Sequence, residues 1–134
     1  MRKIMTLLTI FFIFYTNAQA GYYKLVQSWP NLPTFCRPTG LAFDSSGNVY
    51  VADRENHRIQ VFSSDGTFIR KWGSYGSGDG QFDGPHGIAF DSLGNLYVAD
   101  SFNHRIQVFS SDGTFIRKWG SFGSGDGQLN CPSP

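Results

Sequence analysis

The sequence predicts an all-β fold made of two four-stranded antiparallel meanders. Three observations carry this. Residues 38–81 align with residues 85–128 without a gap, at a spacing of 47. Of those 44 positions only seven differ, at Thr39/His86, Leu41/Ile88, Ser46/Leu93, Val49/Leu96, Arg54/Ser101, Glu55/Phe102 and Tyr75/Phe122. Each copy is rich in Val, Ile, Tyr, Phe and Trp between short Gly-, Ser-, Asn- and Asp-bearing turns, the composition of short strands and tight connections. A period of this length indicates a propeller, a solenoid or an array.

Within the first copy the strands are expected at Gly40–Asp44, Asn48–Ala52, Arg58–Phe62 and Thr67–Trp72. Ser45-Ser46-Gly47, Arg54-Glu55-Asn56-His57 and Ser63-Ser64-Asp65-Gly66 separate them. Connections this short force neighbouring strands to run antiparallel. The first two strands carry apolar groups on both parities (Leu41-Ala42-Phe43 and Val49-Tyr50-Val51-Ala52) and should be buried on both faces. The fourth alternates, with Phe68 and Arg70 opposite in parity to Ile69 and Lys71, as an outer edge does. A sheet dry inside and wet outside is what radial packing of blades produces, so the copies are expected to be β-propeller blades. Gly73 to Gly80 then reads as the connection between blades. It lacks the Lys-Ser/Thr of a phosphate loop.

The first twenty residues differ in kind. Arg2 and Lys3 precede an apolar run, and Ala18-Gln19-Ala20 offers small residues at a cleavage position. This is the pattern of a secretory signal peptide. The run from Ile4 to Tyr15 has twelve residues, short of the about 20 that span a bilayer. Residues 1–20 are therefore expected to be removed, giving a secreted chain with no stable membrane insertion. The domain plan is a leader at 1–20, an N-terminal segment at 21–37, blades at 38–84 and 85–131, and the start of a third repeat at 132–134. The 134 residues hold 11 Lys plus Arg and 10 Asp plus Glu. Without Arg2 and Lys3 the formal charge moves from +1 to −1. A near-neutral body lacks the basic footprint of a duplex-binding protein, so no nucleic-acid partner is expected. Export makes a disulfide permissible. Cys36 and Cys131 flank the repeats, leaving pairing with each other, pairing between chains and free thiols all open. Their spacing fits no zinc pattern, and no Asn-x-Ser/Thr sequon follows the leader.

Pro85-His86-Gly87-Ile88-Ala89-Phe90-Asp91, Gly94-Asn95-Leu96-Tyr97-Val98-Ala99-Asp100 and Asn103-His104-Arg105-Ile106-Gln107-Val108-Phe109 resemble an NHL repeat. So do their equivalents in the first copy, and Gly123 to Gln128 resembles the family's linker between blades. The resemblance covers roughly residues 35–132. It implies a closed ring, commonly of six blades, whereas two blades cannot close. Leu25-Val26-Gln27-Ser28-Trp29 resembles the fourth strand Phe68–Trp72, as if left from a preceding blade. The expectation is a truncated or minimal member: a piece of a longer gene, or a unit that assembles with copies of itself to complete a propeller.

Four groups of residues carry candidate chemistry. Asp53 with Arg58, and Asp100 with Arg105, should pair across a turn and order it. His57 and His104 lie in that same turn. Equivalent positions on adjacent blades sit too far apart for two rings to share an ion at about 2 Å, so each is expected to bond backbone. Asp44-Ser45-Ser46-Gly47-Asn48 and Ser63-Ser64-Asp65-Gly66 lack the distal Glu of a calcium loop and read as turns. His86 replaces Thr39 at the start of the innermost strand. Pro85-His86-Gly87-Ile88 is similar to a motif of peptidyl-hydroxyglycine lyases, secreted propeller enzymes whose histidines converge on zinc. Only one such histidine is present, and catalytic zinc generally needs three protein ligands. His86 is thus the sole metal candidate, and no cofactor or catalytic residue is expected.

Topology adds one inference. In an up-and-down blade the entry to strand one and the turn between strands two and three emerge at the same end. Thr39, Arg54, Glu55, His57, His86, Ser101, Phe102 and His104 should therefore share one rim. Three of the seven differences fall there, and all three change chemistry. This favours a non-enzymatic module that binds protein or another extracellular macromolecule through that rim. The alternative is part of a secreted propeller enzyme, a metal-dependent lyase or hydrolase.

Overall fold

The computed structural model describes residues 34–133. The leader and the strand-like stretch at 25–29 lie outside the described residues. Eight strands form two separate four-stranded sheets. Strands β1 (Pro38–Phe43), β2 (Val49–Asp53), β3 (Arg58–Phe62) and β4 (Phe68–Trp72) make the first blade. Strands β5 (Pro85–Phe90), β6 (Leu96–Asp100), β7 (Arg105–Phe109) and β8 (Phe115–Trp119) make the second. Every neighbouring pair is antiparallel, in simple meander order. The expected strands fall within a residue or two of these bounds.

Local chemistry sets the turns. Asp44 Oδ1 accepts the backbone N–H of both Ser46 and Asn48 at 2.9 Å. Asp44 thereby leaves β1 and closes the β1–β2 connection, and Asp91 repeats this with Leu93 and Asn95. These hydrogen bonds satisfy backbone donors the ladder cannot reach. Between β2 and β3, and again between β6 and β7, the chain makes one 3-10 turn, at Arg54–Asn56 and Ser101–Asn103. Each ends on a left-handed histidine, His57 at φ 51° and His104 at φ 53°.

The two blades share one core. Tyr50, Ala52, Ile59 and Val61 from the first pack with Phe82, Leu96, Val98 and Phe109 from the second region, all sealed from solvent. The Tyr50 ring meets Phe90 edge-on at 4.8 Å, and Trp72 lies 5.8 Å from Phe109. The Tyr50 hydroxyl donates to Ser111 O at 2.9 Å, so its polar tip is satisfied at the margin of an apolar interface. The inner strands β1 and β5 approach closely. A Cβ built on Gly40 would sit 2.3 Å from His86 O, so only glycine permits this approach.

Burial on both faces is fulfilled by β2, whose five residues are all buried, and not by every inner strand. Strand β1 is half-exposed for most of its length, Phe43 is 57% exposed, and β6 alternates buried with half-buried residues. A blade face stays dry only where another blade covers it. The face of the second blade that carries Tyr97, Ala99 and Ile106 has no such cover among the described residues.

Candidate recognition rim

The strand register puts the sequence-derived rim at one end of both blades. Pro38 pairs with Asp53, and Pro85 with Asp100. The starts of β1 and β5 therefore lie beside the 3-10 turns.

A buried carboxylate anchors each turn. Asp53 has no solvent exposure. Its Oδ2 accepts from Arg58 Nε at 2.8 Å, Asn56 Nδ2 at 2.9 Å and Gln60 Nε2 at 2.9 Å, and its Oδ1 from the Cys36 N–H at 2.8 Å. Asp100 repeats the set with Arg105 at 2.7 Å, Asn103 and Gln107 at 3.0 Å, and the Asp83 N–H at 2.7 Å. The predicted Asp–Arg pairs thus form, inside a saturated network. A buried charge is tolerable only with this degree of hydrogen bonding. Arg105 reaches further and donates to Ser77 O, Gly78 O and Gln81 O. The second blade therefore straps down the Gly-rich linker that precedes it.

The rim residues divide by what they touch. The Thr39 hydroxyl is held by Pro85 O at 3.2 Å and His86 O at 3.1 Å, tying β1 to β5. His57 Nδ1 accepts the Gly84 N–H at 3.3 Å, and His104 Nδ1 accepts the Cys131 N–H at 3.1 Å. Their rings pack edge-on against Tyr75 and Phe122, both at 4.9 Å. Both histidines thus bond backbone, as expected, and latch the linker that follows their own blade. Ser101 is buried and donates to Pro132 O at 2.6 Å. Glu55 pairs with Arg37 at 3.5 Å on the surface.

Arg54, Phe102 and His86 remain, and the fold brings them together across the blade junction. The Arg54 guanidinium lies 5.2 Å from the centre of the Phe102 ring, within cation–π range. Phe102 is half-exposed and lies over the backbone of Gly84. A Cβ there would meet the Phe102 ring at 2.7 Å and Arg54 Nε at 3.6 Å. Burial, and then the nearby Arg54 charge, lower the His86 pKa from its ordinary value. Internal alignment sets Arg54 opposite Ser101 and Glu55 opposite Phe102, so it could not reveal that Arg54 stacks on Phe102. Gly84 and Arg37 also belong to this end. Their signal was the Gly-Pro break before the second copy and the charge just before the first.

Among the described residues no three His, Cys, Asp or Glu side chains come together as a metal set. Cys36 and Cys131 are both exposed and unpaired.

Residues 35–62 and 82–109 match the NHL repeat family. The chain is 52% identical over 46 residues to RING finger protein nhl-1 of Caenorhabditis elegans, which is 34% of this chain and 5% of that protein. It is 56% identical over 36 residues to the E3 ubiquitin-protein ligase TRIM71 of Gallus gallus, which is 27% of this chain and 4% of that protein. The chain therefore matches only a small part of the length of these relatives. Among solved structures it resembles a streptogramin B lyase, with a TM-score of 0.51 and 16% identity over 66% of this chain and 28% of that one. That likeness speaks for the fold alone. The chain carries two NHL repeats, each folded as one four-stranded β-propeller blade, and belongs with the NHL-repeat proteins.

Proposed function

We propose that this chain is a non-enzymatic recognition module, binding protein or another extracellular macromolecule through the rim formed by its 3-10 turns. One observation carries the reading. Two blades that are otherwise near copies differ most in chemistry at this end, and there a half-exposed Phe102 lies under an arginine. An exposed aromatic with an adjacent Arg is the composition of an interaction hot spot. Thr39, His57, Ser101 and His104 hold the blades and linkers beneath it, so the contact residues stand on a rigid base. The secretion-type pattern read in residues 1–20 supports a partner outside the cell. The matched repeats of a RING finger protein and an E3 ubiquitin-protein ligase agree with protein as the ligand class.

The opposite end supplies a control. Leu93, in the β5–β6 turn, is 85% exposed. Peptides selected on the immobilised protein from a random library are expected to lose about tenfold or more in affinity for Phe102→Ala. They should bind Leu93→Ala unchanged. Binders indifferent to Phe102 and sensitive to Leu93 would place recognition at the other end and refute the rim.

A further inference from the structure

We propose that Arg54 and His86 form a carboxylate-binding site on this rim, taking the acidic side chain of a peptide with Phe102 as its apolar wall. The inference rests on the rim reading above and specifies its ligand.

Asp53 and Glu55, the carboxylates on either side of Arg54 in the sequence, have other cationic or donor partners. Asp53 is saturated by Arg58, Asn56 and Gln60. Glu55 pairs with Arg37. At this end Arg54 has no acidic partner among the described residues, only the Phe102 ring. Its Nε is sealed from solvent with no hydrogen-bond partner. Its two terminal nitrogens make no hydrogen bond or ion pair among the described residues. Contact with the Phe102 ring restrains the guanidinium, and a restrained fork can grip a carboxylate through two parallel N–H bonds.

In His86, Nδ1 is buried and unpartnered. An N–H with no acceptor is among the rarest features of a protein interior, and an unused lone pair is tolerated better. The hydrogen is therefore assigned to Nε2, the ring nitrogen left to donate. With Arg54 beside it, the site offers donors only, and donors alone select an anion. Burial, and then Arg54, lower the His86 pKa and so favour its neutral form. The site thus carries one positive charge, matching one carboxylate. Nucleic acid would need a basic surface extending from phosphate to phosphate, and the whole chain has a formal charge of only +1.

A bound carboxylate also has a signature. It stabilises the imidazolium and moves the His86 titration upward, against the present effects of burial and Arg54. Arg37, Glu55, His57 and Asp83 also lie at this end, and Arg37→Gln controls for the effect of a neighbouring cation.

The test is an NMR titration of the full chain with acetyl-Gly-Glu-Gly-amide, with its Gln analogue and with oligouridylate. The Glu peptide is expected to shift the His86 ring signals saturably and to raise their pH midpoint. The Gln peptide and the Arg54→Gln variant should each bind about tenfold more weakly, Arg54→Lys should fall between, and Arg37→Gln should stay within about twofold. Equal binding of the Gln peptide, or no loss in a folded Arg54→Gln, overturns the proposal. So does tighter binding of oligouridylate through Arg54, which would make this a phosphate site. Library peptides that need Phe102 and ignore Arg54 would refute the carboxylate site and leave the rim standing. Peptides that ignore both would refute the rim itself.

Discussion

Tyr50 and Tyr97 hold the same place in two blades that differ at seven of 44 aligned positions, yet they live in different surroundings. Tyr50 has no solvent exposure. It packs between Phe90 and Trp72, and its hydroxyl bonds across the blade junction to Ser111 O. Tyr97 is half-buried, and its hydroxyl is reached by Arg117 Nη2 of its own blade at 3.1 Å. The tryptophans follow suit. Trp72 packs at the shared core, whereas Trp119 is 42% exposed and faces Tyr97 and Arg117. Nothing in either local sequence distinguishes these environments. In a repeat architecture burial belongs to the interface between units, so the same residue contributes differently according to which neighbour covers it.

The sharpest way to break this comparison is to truncate both tyrosines. Tyr50→Ala should destabilise by about 3–5 kcal/mol, the range for deleting a large core aromatic. Tyr97→Ala should cost roughly 1 kcal/mol, since much of its ring already meets water. Urea unfolding measures both. Equal losses would mean that the Tyr97 face is covered in solution.

A smaller difference is expected at the carboxylate hubs. Asp53 and Asp100 are equally buried, but the Arg105 side chain is 8% exposed and that of Arg58 19%. Asp100→Ala strands the more deeply buried guanidinium and should cost about 3–5 kcal/mol. Asp53→Ala should cost about 1 kcal/mol less, because water reaches Arg58 more readily. The same unfolding measurement decides it, and the reverse order would show that the linker carbonyls held by Arg105 compensate for the lost acid.

The smallest effect should be alike in both blades. Asp65 and Asp112 sit in the β3–β4 and β7–β8 turns. There the hydroxyls of Ser63 and Ser110, and then the backbone of Thr67 and Thr114, stabilise the carboxylate. Both pKa values fall below the ordinary value of 3.8, that of Asp112 to about 2. A depressed folded-state value means that the turn's contribution is complete above 3.8 and is lost as pH falls toward about 2. Carboxyl chemical shifts followed through that window should report both midpoints below 3.8. A normal midpoint for either Asp would show that its turn does not hold the carboxylate in solution.

Much of this was legible beforehand because it depends on short-range chemistry. The four strands per repeat, the Asx turns at Asp44 and Asp91, and the pairing of Asp53 with Arg58 all join residues within one repeat. Even the common end of the rim followed from meander topology. The work done by the rim residues was less legible. Thr39, His57, Ser101 and His104 find their partners on residues 27 to 47 positions away, in a neighbouring strand or linker. The contact of Arg54 with Phe102 likewise joins two different repeats.

By itself the sequence determined the repeat, the strands and the turns, because periodicity, glycines and Asp side chains act within a few residues. Only the tertiary structure decided that Tyr50 is sealed while Tyr97 is not, and that Arg54 meets Phe102 without an acidic partner. Those outcomes depend on how one blade is placed against the next, and two nearly identical sequences contain no local signal of which neighbour each will receive.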